Sequence, residues 1–371
     1  MRREPVHILY FSSFGHLRWG GQKSLYGLVS QLDRDLYRPH VVVPSEGELA
    51  QRLRELSVEV IVHELPEIAL DRAADDIGSF RFLLDVVERY GIDVLHTDGP
   101  RNTFFAGMAA KKKGLPLVWH IRAFDRDRYD RLLYGLSSRL IFVADCLRER
   151  FKWVRDDGKW ITIYNGIDPG EFQRVNNGEK LRDLLGIGRD ELLIVSVGRI
   201  EPLKGQIHLV SACGRIGESL PEFRLLLVGN TTDQAYRQDC EAMASAQGIA
   251  RQVIFTGERD DIAGILGEAD IFVLPSLYEA FPRAVIEAMG VGLPVIVTNA
   301  GGCAEAVEEG LSGFVVPAGD PEAIANRILQ LGKDRELRHR MGDQGRQRAK
   351  TLFDIRENAR KTERLYHEIL R

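Results

Sequence analysis

Cysteine is scarce in this chain of 371 residues, and its four positions, Cys146, Cys213, Cys240 and Cys303, lie far apart. There is no C-x-x-C pair and no histidine at metal-ligand spacing, so the pattern reads as reduced thiols and excludes a disulfide framework or a zinc site. Cys303 follows a Gly-Gly pair and is expected to pack. Long apolar runs are missing too. The stretches at 140–144 and 294–297 hold about five residues or fewer, whereas a membrane span needs about twenty. Arg2 and Arg3 precede an apolar run at 6–11 that is too short for a signal-peptide core, and a cytoplasmic location is the expectation. No G-x-G-x-x-G follows the first apolar run and no P-loop pattern occurs, which counts against a nicotinamide enzyme and against an ATPase. No repeat of about 20 to 50 residues is visible, which excludes a solenoid.

What is present is ordinary globular material, 44% hydrophobic and 28% charged, in a chain long enough for two domains. The net charge of −4 hides an asymmetry. Residues 101–160 carry 14 basic and 7 acidic side chains, whereas from 171 onward 25 basic residues face 30 acidic ones. A basic stretch of this kind is either a solvated face or a surface for an anionic partner. Its tightest cluster is Lys111, Lys112 and Lys113, about two helical turns after Phe104 and Phe105. A peripheral contact with an anionic membrane surface is therefore one expectation, and a nucleic-acid partner is not.

Short apolar runs alternate with helical spacing along the whole chain. Runs begin at 6, 41, 58, 93, 117, 140 and 161, then, after turn signals at 165–172, at 192, 224, 253, 271, 294 and 313. Strands separated by crossovers predict parallel sheets, here two doubly wound, Rossmann-like α/β domains over 1–168 and 176–350 facing a cleft. The last helical stretch, 354–371, can pack back on the first domain. Ligands of such sheets bind beyond the carboxyl ends of the strands, so the loops that follow strands are the place to look.

In the stretch "YEAFPRAVIEAM" at 278–289, Glu279 precedes a predicted helix and Glu287 falls in its second turn, with Pro282 at a first-turn position. A helix N-terminus favours an anion, and a carboxylate on either side can accept hydrogen bonds from sugar hydroxyls. "VGRIEPLKG" at 197–205 supplies Arg199 and Lys204, cations suited to a diphosphate. "VIVTNAGG" at 295–302 ends in two glycines that leave the backbone open to a ligand. In the first half, "FGHLRWGGQ" at 14–22 is read as the loop after the first strand, with Gly20 and Gly21 free to approach a ligand and His16 beside them. His96 and His120 end predicted strands.

Taken together, E-x7-E after "LPS", "GLPVIVTNAGG", "SGFVVPAGD", "VGRIEPLKG", "GGQ" at 20 and "NGID" at 165 resemble the retaining nucleotide-sugar glycosyltransferases of the GT-B fold, glycosyltransferase family four. The resemblance covers nearly the whole chain. It implies an acceptor-binding N-terminal domain and a donor-binding C-terminal domain. It further implies transfer of a sugar from a UDP- or GDP-linked donor to a hydroxyl of a glycan or lipid-linked acceptor, in polysaccharide or glycolipid biosynthesis, with retention. Carried over residue by residue, Glu279 contacts the donor sugar, Glu287 the ribose hydroxyls, Arg199 and Lys204 the diphosphate, and His120 lies near the reacting sugar. Gly20, Gly21, Phe281, Pro282 and Arg283 complete the donor site. Many relatives carry glycine where this chain has Ala280 and Pro282. Proline has no N–H to offer, and Arg283 stands beside it.

The D-x-D in "FDRDRYD" at 124–130 has oxygen ligands that suit magnesium or manganese. It lies in a basic, helix-like stretch, and Arg199 with Lys204 already supply positive charge, so neither metal nor cofactor is expected. Two rival readings share the pattern: an epimerase or hydrolase acting on nucleotide sugars, and a non-catalytic partner subunit that binds them.

Overall fold

The computed structural model describes residues 4–68, 73–172, 181–217, 219–220 and 222–371. The first sheet comprises β1 (Val6–Phe11), β2 (Tyr37–Val43), β3 (Glu59–Val62), β4 (Val94–Asp98), β5 (Leu117–Ile121), β6 (Arg139–Phe142) and β7 (Trp160–Thr162). Their spatial order is β3-β2-β1-β4-β5-β6-β7. The second sheet comprises β8 (Leu192–Val197), β9 (Phe223–Val228), β10 (Val253–Gly257), β11 (Ile271–Leu274), β12 (Val295–Thr298) and β13 (Gly313–Val316), ordered β10-β9-β8-β11-β12-β13. Every neighbouring pair is parallel. The central strands are apolar on both faces, as a parallel sheet covered by helices on either side requires. Two doubly wound α/β sheets are therefore what the alternation of apolar runs predicts.

Contacts divide the chain into one unit of Met1–Gly166 with Ile355–Arg371, and a second of Ile167–Asp354. Residue 176, where the sequence sets the start of the second domain, lies outside the described residues. The first sheet carries two buried layers. One joins Leu25, Leu28 and Val29 of the helix Gly20–Ser30 to Ala359, Leu365 and Tyr366 of the last helix, Ile355–Ile369. A Cβ on Gly27 would sit 3.3 Å from Ile355, so that glycine permits the close approach of the two helices. The opposite layer is built from Leu83, Val86, Phe105 and Ala109 against Leu9 and Leu95. The second unit packs its helices around Ile194, Leu225, Leu227, Val273 and Ile296.

Two local expectations need correction. Gly20 and Gly21 are not a loop but the first two residues of the helix Gly20–Ser30, because Trp19, with extended φ and ψ, already serves as its N-cap. The stretch 122–127 is irregular, and a helix starts only at Asp130. Of the apolar residues near the lysine cluster, Phe105 is only 2% exposed and belongs to the core, Phe104 is half-buried, and Met108 is exposed.

Candidate active site

In the second unit the strand order reverses between β8 and β11, and a crevice at such a switch point is where a doubly wound sheet takes its ligand. Three loops meet there, and backbone bonds hold them. The N–H of Leu277, after β11, donates to the carbonyl of Leu203, after β8, at 2.9 Å. Gly302 N–H, after β12, donates to the carbonyl of Glu279 at 3.1 Å. Gly205 has φ 65°, and a Cβ there would stand 2.2 Å from the carbonyl oxygen of Pro275. Only glycine fits that left-handed, crowded position.

This knitting brings the predicted residues together. Lys204 Nζ lies 2.6 Å from Glu279 Oε2, with both side chains less than a fifth exposed. Arg283 pairs with Glu287 at 3.3 Å, also largely buried. Arg199 pairs with Glu201 at 2.9 Å and is about half-exposed. Its backbone carbonyl accepts a bond from Gln206 at 2.7 Å. The cations and carboxylates expected to address different parts of a ligand thus balance one another directly. Pro282 is the N-cap of the helix Arg283–Val291, one position earlier than its expected first-turn place, since its ψ of 89° is not helical. That helix has no side-chain cap and no acid in its first turn, which leaves its N-terminal partial charge uncompensated there. Glu287 falls in the second turn. Phe281 is buried and packs edge-on against Phe353 at 5.5 Å, so its side chain builds the wall rather than the lining. Cys303 is fully buried.

In the first unit His96 sits within β4 and His120 near the end of β5. Both are buried. His96 Nδ1 meets Tyr366 Oη at 2.5 Å, and His96 Nε2 meets His120 Nδ1 at 3.2 Å. Arg122 donates to the same His120 Nδ1 at 3.3 Å and to Asn165 at 3.1 Å. His120 Nε2 is buried and has no hydrogen-bond partner among the described residues. Burial, reinforced by Arg122, brings the His96 pKa down to about 3 and takes that of His120 well below the usual imidazole value. Both rings are therefore neutral near pH 7. Asp98, which pairs in register with His120 across the two strands, is pushed up by burial, although Arg122, Asn102 and Ser13 pull the other way. A Cβ on Gly21 would come 3.9 Å from Arg122, so the start of the Gly20–Ser30 helix stands beside this cluster. His16 stacks on Phe14 and meets Trp19 edge-on at the surface. Sequence reasoning missed Arg122, Asp98 and Tyr366. Asp98 ends β4 and Arg122 directly follows β5, which is a usable signal, but nothing local marks Tyr366, a residue of a distant helix.

The remaining candidates disperse. Asp127 accepts a bond from the Tyr129 N–H, and Asp130 pairs with the buried Arg150 at 2.6 Å. Among the described residues no group of three or more His, Cys, Asp or Glu could hold a metal. The basic stretch is not one bare face. Arg101, Lys113, Arg148, Arg150, Lys152 and Lys159 each pair with an acid, while Lys111 and Lys112 are exposed. No helix among the described residues is long and apolar enough to cross a membrane.

Comparison with known proteins follows the same geography. The family Glycosyltransferase Family 4 matches residues 20–171, and Glycosyl transferases group 1 matches residues 177–348. The chain is 27% identical over 319 residues to the UDP-Gal:alpha-D-GlcNAc-diphosphoundecaprenol alpha-1,3-galactosyltransferase of Escherichia coli, covering 80% of each chain. It superimposes on a glycosyltransferase from Rickettsia africae with a TM-score of 0.89 at 19% identity, over 100% of both chains. The Anabaena protein HepE, solved with UDP and glucose, matches with a TM-score of 0.84 at 22% identity, over 98% of this chain and all of that one.

Proposed function

The chain belongs to the glycosyl transferases group 1, the family-four glycosyltransferases of GT-B fold, and we propose that it moves a sugar from a UDP- or GDP-linked donor to a hydroxyl of a glycan or lipid-linked acceptor, with retention and without a metal. The observation that carries this reading is the 2.6 Å approach of Lys204 to Glu279, because it draws the loops after β8 and β11 into one charged site at the switch point. The E. coli relative, whose name specifies UDP-galactose and a diphosphoundecaprenol-linked acceptor, supports both the donor class and the acceptor class.

In the proposed reaction the second unit holds the donor. The diphosphate leaves with growing negative charge, which Lys204, Arg199 and the N-terminus of the Arg283–Val291 helix stabilise electrostatically. Glu279 holds the transferred sugar and Glu287 the ribose hydroxyls. The first unit binds the acceptor and contributes His120. Lys111 and Lys112 provide the contact to an anionic membrane surface that a lipid-linked acceptor requires. The test is to incubate the protein with UDP- and GDP-sugars, with and without glycan and polyprenyl-diphosphate acceptors, following nucleotide release and product mass in EDTA and in manganese. Acceptor-dependent transfer that survives EDTA is expected. Sugar release without acceptor, or strict dependence on manganese, would overturn the reading.

A further inference from the structure

We propose that Tyr366, acting through His96 and together with Arg122, is a positioning residue that holds His120 as its Nε2–H tautomer, so that the site presents a fixed hydrogen-bond donor instead of a base. This rests on the glycosyltransferase reading only for what the donor addresses, an oxygen of the transferred sugar.

The direction of the chain of bonds follows from one group that can only donate. A guanidinium has no acceptor, so Arg122, 3.3 Å from His120 Nδ1, requires that nitrogen to carry a lone pair. The neutral ring must then carry its proton on Nε2, the atom with no partner among the described residues. His96 Nε2, 3.2 Å from the same Nδ1, has to be its N–H end. His96 Nδ1 is consequently the acceptor, and Tyr366 donates to it at 2.5 Å. Tyr366 is thereby left to accept from the Tyr10 hydroxyl at 2.8 Å. Burial raises the pKa of both phenols, so each has the proton this scheme assigns to it. Reversing the chain would set an Nδ1–H of His120 against the Arg122 N–H groups. The four rings lie in strands β1, β4 and β5 and in the helix Ile355–Ile369, which ties that helix to the protonation of His120 through His96. A partner one bond removed from a functional imidazole, as His96 is here, changes affinity or activity by roughly 10- to 100-fold when lost in metal sites, and Tyr366, one bond further out, is expected at the low end of that range.

The experiment is long-range 1H–15N correlation of the histidine rings in the uniformly labelled wild type at pH 7, with His96→Leu and His120→Gln used to assign signals, followed by kinetics. His96 and His120 should both appear as neutral Nε2–H rings. A proton on His120 Nδ1, or an imidazolium, overturns the proposal, and this reading needs neither substrate nor mutant activity. In the transfer assay Tyr366→Phe should lower kcat roughly tenfold at nearly unchanged donor KM, with mixed tautomers at His96. His96→Gln, whose amide can still donate to His120, should retain more kcat than His96→Leu. Equal loss in those two variants, or full kcat in Tyr366→Phe, refutes the positioning role. Absence of transfer from every nucleotide sugar would refute the functional reading while the wild-type tautomers still decide this one.

Discussion

Removing the Lys204 ammonium tests the charged site most directly. Two unit charges about 4 Å apart attract by about 4 kcal/mol at an effective dielectric near 20. With side chains 18% and 15% exposed, desolvation offsets part of that, which leaves the Lys204–Glu279 pair worth roughly 1–3 kcal/mol. A nucleoside diphosphate would exchange this contact for a charge-assisted bond to phosphate worth about 1.5–3 kcal/mol. Lys204→Met should therefore weaken UDP or GDP binding by roughly 10- to 100-fold. Part of that loss comes from Glu279, whose charge is left facing the phosphates. The double variant Lys204→Met, Glu279→Gln should then bind the nucleotide more tightly than Lys204→Met alone. Isothermal calorimetry with UDP and GDP measures both. Affinity within twofold of wild type for Lys204→Met, or no recovery in the double variant, would show that the pair does not face the diphosphate.

Glu287→Ala should weaken donor binding, whereas Glu279→Ala should mainly lower turnover, because a ribose contact is similar in ground and transition states and a contact to the reacting sugar is not; calorimetric affinities and turnover numbers unchanged in both would remove the assignment. Stability should fall on acidification. His96 titrates near 3 when folded against an ordinary 6.5, so its contribution is intact above pH 6.5 and is lost as pH falls toward 3, about 2 kcal/mol having gone by pH 5. His120 adds in the same direction. Urea unfolding at pH 7.5 and 5 reads this, and a midpoint independent of pH contradicts it. Finally, if Lys111 and Lys112 meet a membrane, each contributes roughly 1 kcal/mol at an anionic surface. Binding to anionic vesicles should then decline with salt and in a Lys111→Glu, Lys112→Glu variant, and equal co-sedimentation with neutral vesicles would dispose of the contact.

The sheets were legible because a parallel strand buried on both faces writes itself as a short apolar run. Leu192–Val197 and Val295–Thr298 are set apart from their neighbours by composition alone. Helix starts were less so. Gly20 and Gly21 signal flexibility in sequence, yet glycine with negative φ can open a helix as well as a loop, and an extended Trp19 decides between them. Pro282 shows the same ambiguity, since fixing φ suits an N-cap as much as a first turn.

Site residues divide along a similar line. Those of the second unit lie in loops directly after strands, so sheet order alone gathers Arg199, Lys204 and Glu279 at one edge, and the parallel topology could be read before any contact was known. What the sequence does not state is that these charges pair with one another. Glu279 meets Lys204 75 positions away, and a carboxylate bound to an ammonium is a different acceptor from a free one. The first unit hides more. His120 was visible as a strand-end histidine, but the property that makes it useful, which nitrogen carries the proton, depends on Tyr366, 246 positions further on and 270 from its partner His96. That link exists only because the last helix returns to the first sheet, bringing Tyr366 into the layer that holds Tyr10. Chemistry arranged by direct strand-to-loop succession can be read from order. Chemistry arranged by a returning helix requires the fold.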